Sequence, residues 1–527
     1  MGAGSARGLA EGHVPIGRGG RTAGCREGGR TGRPALLGAR ARCLRSGCPD
    51  QPQHPLRGAT DPVSRLTPSP ASRSTSRRWR PLVALVPAVL AVGLLPSAGA
   101  SAARSACEGQ RLRVPGAERL VSHCLEDLTT AGTEPLGLTR PKDYEGLQSA
   151  STVNPSHVPG IQLDGYFPDT STTNTNNGWN HDSQFVIRLP EHWNGGLVVA
   201  GPPGTRRQYA NDRIISDQVL AKGFAYAATD KGNTGPELYK DGDRPGDAIL
   251  EWHLRVAQLT VAAQQVAAKH YGRAPERTYA AGLSAAGYLV RWQLEHYPRL
   301  YTGGIDWNGL LLTRDEPNLL TNLPPALRAY PRWERHEPGA AEAMFAAGYP
   351  DGTQDLWKSH YYGLWDSLQR TIREELDPDY DGAAQGGTPF CHEGTGAGCD
   401  TDYDYAARPG SVHDAVERVA LTGRLTRPLI TLQGTYDVLL PITRTGDVYD
   451  RMVNDAGRGD QHRYYRIENG THTDGFHDIA PTLVRPMQPC FNAAFDDLVA
   501  WTTRGVTPPP SHTVPRPTTG PTTDCAL

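Results

Sequence analysis

The chain has 527 residues, 38% of them apolar, with 59 Gly and 44 Pro. These values exclude a collagen-like, wholly disordered or multi-span membrane protein and leave enough chain to bury a large core. The net charge of −2 hides an asymmetry: residues 1–80 hold 15 Arg, no Lys and 4 acids, hence +11, whereas residues 101–527 hold 39 basic and 52 acidic residues, hence −13. A body that acidic has no general attraction for nucleic acid or an anionic membrane surface.

The first landmark is the run from Ser76 to Ala103. Arg77, Arg78 and Arg80 form a positive start, Pro81–Leu95 an apolar stretch of 15 residues, and Ala98-Gly99-Ala100 a small-residue cleavage site, so residues 77–103 read as a signal peptide. The apolar stretch is short against the roughly 20 residues of a membrane span and contains Pro87; an uncleaved anchor is the alternative. Residues 1–76 are Gly/Arg/Pro-rich without helical or strand periodicity. They read as a disordered leader or an assigned start lying too far upstream, and are set apart from the fold. Export to an oxidising compartment suits the six cysteines beyond the signal: Cys107, Cys124, Cys391, Cys399, Cys490 and Cys525. Their spacing is neither redox nor zinc-like. Of about 15 possible connectivities, proximity favours Cys107–Cys124, Cys391–Cys399 and Cys490–Cys525.

From Gln184 the chain alternates strands and helices. Strands are predicted at Gln184–Leu189, Leu197–Ala200, Gly223–Thr229, Arg277–Leu283 and Gly303–Asp306. Between them, Trp252, Val256, Leu259, Ala263 and Val266 recur every three or four residues and predict a helix over Glu251–His270; a second helix follows over Ala285–His296. This rhythm argues for an α/β fold on a mostly parallel sheet, with residues 104–309 as its first part. The rhythm breaks from 310 to 410, a span too long for a loop, which reads as an inserted lid subdomain. It resumes over 411–506 with strands at Pro428–Leu432 and His462–Ile467 and helices around Thr445–Val453 and Asn492–Trp501. Residues 507–527 form a Pro/Thr-rich tail without a pattern of its own.

The chemistry centres on YAAGLSAAG, Tyr279–Gly287. An apolar strand runs through Gly282-Leu283-Ser284-Ala285-Ala286 straight into a helix, the context of a nucleophile elbow, whose small neighbours let the serine occupy a sharp turn. Ala286 stands where a second glycine is usual. Helix-capping serines share such a context, so the partners matter. The strand ending at Leu432 runs into Gln433-Gly434-Thr435-Tyr436-Asp437, and the one ending at Ile467 into Glu468-Asn469-Gly470-Thr471-His472. Ser, Asp, His is the chain order of α/β-hydrolases, and both partners fall at strand ends. Ser284 is the expected nucleophile, His472 the base and Asp437 the orienting acid; Asp447, Asp306 and His477 are their rivals. The oxyanion donors expected are the Ala285 N–H and, since Pro202 and Pro203 have none, that of Gly204 or Thr205.

On these residues the chain resembles the secreted α/β-hydrolases grouped around tannases, feruloyl esterases and 3-hydroxybutyrate oligomer hydrolases. The resemblance covers roughly 164–504 and rests on GPPGT, GLSAAG, the large insertion, and GTYDVLLPI followed by NGTH. It implies an α/β-hydrolase fold with an inserted lid, ester hydrolysis without a required cofactor, and the acid role on Asp437 rather than Asp447. Tannases and feruloyl esterases of the group generally carry cysteines beside the serine and histidine; here those places hold Leu283 and Thr471 or Thr473, which moves weight toward the oligomer-hydrolase side.

Asp377, Asp379 and Asp381, followed by Gly382, imitate half of a calcium loop, but the closing position is Thr388 and supplies no carboxylate. Asp400, Asp402 and Asp404 form a second trio, and some feruloyl esterases hold calcium in the lid, so a structural Ca²⁺ is expected there if anywhere. The substrate expected is a small or oligomeric, uncharged to modestly polar ester, with 3-hydroxybutyrate oligomers ahead of feruloyl or galloyl esters. Trp333, Phe345, Tyr349, Trp357, Tyr361, Tyr362 and Trp365 either line the lid against such a substrate or form its own core. A secreted peptidase or amidase of the same fold, and a non-catalytic binding module, are the other readings.

Overall fold

A short apolar run with no polar alternation can be buried on both faces, and Gly196–Ala200 is so buried in the computed structural model, which describes residues 111–380, 400–517 and 525–527. Leu197 and Val199 join the core on one side of the sheet, and Val198 and Ala200 the core on the other. The strands are β1 Arg119–Leu125, β2 Gly160–Tyr166, β3 Gln184–Pro190, β4 Gly196–Ala200, β5 Ala225–Thr229, β6 Arg277–Leu283, β7 Gly303–Trp307, β8 Leu429–Gly434, β9 His462–Ile467 and β10 His512–Val514. They form one sheet in the order β1-β2-β3-β5-β4-β6-β7-β8-β9-β10. The first three strands and the β3–β5 pair are antiparallel; everything from β5 to β10 is parallel. The order reverses at β4 and β5, and the carboxyl ends of the parallel strands beyond that point carry the site.

Two strands precede the predicted ones. In β2 the polar Gln162 and Asp164 are buried, which hides the strand from a hydrophobicity reading; Arg188 Nε donates to Gln162 Oε1 at 2.9 Å and Tyr209 OH to Asp164 Oδ1 at 2.7 Å. The tail supplies β10, held by its register on β9 and by buried Val514.

One side of the sheet is covered by α1 Asp247–Tyr271 and α2 Ala285–His296. Trp252, Val256, Leu259, Ala263 and Val266 are all buried there, as the helical spacing predicts, and each large side chain stabilises by about 1.5–3 kcal/mol. Between β7 and β8 the chain leaves the sheet to form the lid helices α3 Leu319–Glu334, α4 Ala340–Ala346, α5 Gln354–His360, α6 Asp366–Leu376 and α7 Gly410–Glu417. The two ends of the excursion are joined where Leu421 N donates to Leu312 O at 2.9 Å. After α8 Gly446–Asp455, the long α9 Gln488–Arg504 covers the other side of the sheet through Phe491, Ala494, Phe495 and Leu498.

The lid aromatics form the lid's own core. Trp357 and Trp365 are fully buried, with Trp333 against Trp357 at 5.0 Å and Tyr349 against Trp365 at 5.1 Å between ring centroids. Trp365 Nε1 also donates to Val438 O at 2.7 Å, fastening the lid to the loop after β8.

Cys490 and Cys525 form a disulfide that ties the tail to α9. Cys124 is also disulfide-bonded. The leader, the signal segment, Cys107, the Cys391–Cys399 pair and Asp381 lie outside the described residues. Among the described residues, no helix is long and apolar enough to cross a membrane.

Candidate functional site

Ser284 sits between β6 and α2 at φ 62° and ψ −120°, a left-handed conformation that L-residues rarely adopt. The small residues around it have a steric cause. A Cβ on Gly282 would lie 2.4 Å from the Ala286 carbonyl and 2.7 Å from the Ala286 Cβ, so Ala286 is accommodated because Gly282 has no side chain.

At the end of β8, Asp437 is fully buried. Its Oδ1 accepts from Leu439 N at 2.9 Å and Leu440 N at 2.8 Å, and its Oδ2 accepts from His472 Nδ1 at 2.8 Å. The three rivals are engaged elsewhere. Asp306 is a buried partner of Arg291, whose Nε donates at 2.6 Å. Asp447 accepts from Arg466 Nε at 2.8 Å and Tyr464 OH at 3.0 Å, and His477 lies beside Ser149 and Asp478.

Asn308, just past β7, escaped the sequence reading. Its Nδ2 donates to Thr471 O at 2.9 Å and His472 O at 3.0 Å, and its Oδ1 accepts from Gly434 N at 2.8 Å. One amide thereby joins the end of β8 to the loop that carries His472. Nothing in the local sequence distinguishes it from an ordinary turn asparagine.

Ser284, Ala285 and His472 line one cavity of about 420 Å³. No hydrogen bond joins Ser284 to His472 in the structure; such contacts often tighten only when substrate binds. Opposite them, Arg206 N donates to Pro203 O at 3.2 Å, closing a turn whose tip is Gly204 and Thr205, two further lining residues. Gly204 takes φ +52°, which glycine adopts without strain. The turn is held from behind by Lys231, fully buried, whose Nζ donates to Gly204 O at 2.5 Å and lies 4.4 Å from the centre of the Trp252 ring. Burial lowers the Lys231 amine to about 7, with Asp230 opposing. The rest of the wall is mainly aliphatic, including Leu147, Leu310, Leu364, Leu368, Ile372 and Leu440.

Two family models match the chain: "Tannase and feruloyl esterase" over residues 170–306, and "3HB-oligomer hydrolase (3HBOH)" over residues 380–527. Ser284 falls within the first, and Asp437 and His472 within the second. Each model covers little more than a quarter of the chain, and on the two together the chain resembles the tannase, feruloyl esterase and 3HB-oligomer hydrolase group of α/β-hydrolases. It is 28% identical over 139 residues to a mono(2-hydroxyethyl) terephthalate hydrolase of Piscinibacter sakaiensis, a stretch covering 24% of this chain and 23% of that protein. The match thus spans about a quarter of the curated relative's length. Among solved structures, feruloyl esterase B from Aspergillus oryzae is 13% identical, with a TM-score of 0.43 over 77% of this chain and 91% of that one. Tannin acyl hydrolase from Aspergillus niger is 13% identical, with a TM-score of 0.44 over 77% and 87%.

Beside the serine and histidine this chain has no cysteine. Leu283 and Thr471 are fully buried there and take up the space as packed side chains. The acidic runs of the lid are engaged with cations and phenols. Asp377 Oδ2 accepts from Arg408 Nε at 2.6 Å and Tyr403 OH at 3.0 Å, while Asp379 is exposed. Arg373 Nε donates to Asp400 Oδ2 at 3.0 Å, and Tyr380 OH donates to Asp402 at 2.8 Å. A different trio, Asp169, Asp241 and Glu251, has carboxylate oxygens within 4.8 Å of one another and could in principle coordinate a cation. Arg255 already pairs with two of its members, at 3.2 Å and 2.7 Å. Burial and the two neighbouring acids push Glu251 up to about 8.

Proposed function

We propose that this chain is an exported serine esterase that cleaves carboxylic ester bonds, with 3-hydroxybutyrate oligomers as its substrate class. The observation that carries the reading is the Asp437–His472 hydrogen bond at 2.8 Å behind a cavity that His472 shares with the elbow serine. Ser284 Oγ attacks the ester carbonyl carbon as His472 Nε2 takes its proton, and Asp437 holds Nδ1–H and favours the imidazolium that forms. The Ala285 N–H at the open start of α2, with that of Gly204 or Thr205, receives the negative oxygen. His472 then returns the proton to the departing alkoxide, and water releases the acid from the acyl-enzyme by the same steps. These steps need no group beyond the named residues, and a calcium ion at Asp377, Asp379 and Asp381 would be structural. Export is supported by the signal-like run and by the Cys490–Cys525 disulfide.

The wall is mainly aliphatic, with Trp252 and Phe476 as its aromatic members, and this balance favours an aliphatic hydroxy acid over a feruloyl or galloyl group. The match to the tannase and feruloyl esterase model keeps aromatic-acid esters as the second reading. Kinetics on hydroxybutyrate dimer and trimer beside methyl ferulate and methyl gallate decide between them. The trimer is expected to turn over faster, and the reverse order overturns the assignment. Faster cleavage of matched amides would make the chain a peptidase instead.

Lys231 supports the oxyanion turn from behind. Lys231→Met is expected to lower kcat about tenfold with KM nearly unchanged, since a loosened donor acts on the transition state. A second readout is pH. The folded Lys231 gives up its proton near 7, whereas the unfolded chain keeps it to the ordinary lysine range. Across that window the unfolded state binds more protons, so this residue makes stability rise with pH. The urea midpoint of the wild type relative to K231M is therefore expected to climb from neutral toward alkaline pH; a flat difference refutes the assignment.

A further inference from the structure

The triad and the oxyanion donors define which bond breaks but not what marks a molecule as substrate. Among the described residues lining the cavity, Arg206 alone carries a fixed charge. Among the described residues its guanidinium makes one hydrogen bond, from Nη1 to Asp143 O at 3.1 Å, and no ion pair. A guanidinium has five N–H donors, so most of this one remains available to the cavity. Asp143 meets it with a backbone carbonyl rather than with its carboxylate. Asp143 Oδ2 accepts from Asn176 Nδ2 at 2.9 Å, and burial raises the Asp143 carboxyl above its ordinary range. Burial also pulls Arg206 below the ordinary guanidinium range, with Asp143 and Glu145 only opposing in part. A half-buried cation with unused donors is costly to keep unless something brings it a counter-charge.

We propose that Arg206 anchors a free carboxylate of the substrate, so that this cavity takes esters of hydroxy acids or dicarboxylic acids that still carry an acid terminus, in preference to neutral esters. The inference rests on reading the cavity as the ester site. Guanidinium and carboxylate match as a planar, two-point pair. Arg206 is also the closing residue of the turn that carries Gly204 and Thr205, so an acid held there sets the ester in register with the oxyanion donors through one rigid element. The wall of leucine and isoleucine beyond it suits the methyl-bearing carbons of a short hydroxyalkanoate. This departs from the uncharged to modestly polar ester expected from the sequence. The net −13 of residues 101–527 acts on encounter at long range and is screened beyond roughly 10 Å, whereas a guanidinium inside the cavity acts at contact.

The test separates binding from turnover. Hydroxybutyrate dimer and monoethyl adipate, each beside its methyl ester, are titrated by calorimetry into Ser284→Ala protein, and the same pairs are assayed for kcat/KM on the wild-type chain. Each free acid is expected to bind about tenfold or more tightly than its methyl ester, with the same order in kcat/KM. In S284A carrying Arg206→Gln the acid-to-ester ratio is expected to fall to near one, and Arg206→Lys should restore part of it. Equal binding of acid and ester by S284A, undetectable binding of the acids, or a Gln variant that weakens both partners alike overturns the proposal; the last would reduce Arg206 to a support for the turn. Should S284A still hydrolyse esters, the nucleophile assignment fails, while the calorimetric ratio decides the role of Arg206 independently.

Discussion

Ser284→Ala is expected to lower ester hydrolysis by a factor of about 10³ or more, because the members of such a triad act as a unit and their loss is not shared out. The hydroxyl makes no hydrogen bond among the described residues, so its removal costs the fold little. Alanine must occupy the same φ of 62°, a strain the serine already bears. Rates on a p-nitrophenyl ester series, beside the thermal midpoint, check both halves of the statement. An S284A protein that keeps most of the wild-type rate would end the nucleophile assignment.

Asp437→Asn is expected to reduce kcat by about 10³ to 10⁴ near neutral pH with a nearly unchanged fold. The reason is tautomeric. Asp437 Oδ1 accepts two backbone amides, Leu439 N and Leu440 N. An asparagine can satisfy both only by turning its oxygen toward them, which points its NH₂ group at His472 Nδ1. That nitrogen must then accept, the ring proton moves to Nε2, and the nitrogen facing the cavity can no longer take a proton from Ser284. The opposite amide orientation leaves two buried backbone N–H groups without an acceptor, at about 1–3 kcal/mol each. Kinetics combined with ring ¹⁵N chemical shifts of His472 read the tautomer directly. A D437N protein with wild-type kcat would show that Asp437 does not orient the base.

Unlike these two residues, Asn308 carried no local mark. Asp437 and His472 each follow an apolar strand and a glycine-containing turn, and their context is visible within about ten residues of chain. Asn308 matters because β7 and β8 are neighbours in the sheet, which puts its amide between Gly434 and the carbonyls of Thr471 and His472. Arg206 and Lys231 are of the same kind. One is the closing residue of a turn and the other follows β5, and their shared relation to Gly204 exists only once β4 and β5 lie side by side. The lid aromatics show the converse. Their spacing was compatible with a substrate-lining face and with a private core, and only the packing of Trp333, Trp357, Tyr349 and Trp365 against one another chose the core.

By itself, the sequence determined the βα rhythm from Gln184 onward, the position of the elbow and the place where the lid interrupts the sheet. These depend on apolar period, on small residues at a sharp turn and on chain length, all of which are local. It did not reveal β2, whose buried Gln162 and Asp164 are satisfied by Arg188 and Tyr209 from elsewhere in the chain. Nor did it reveal the charge that faces the cavity. Tertiary structure decided both, because whether a polar side chain is a cost, a support or a binding group depends on which partners the fold brings within about 3 Å of it.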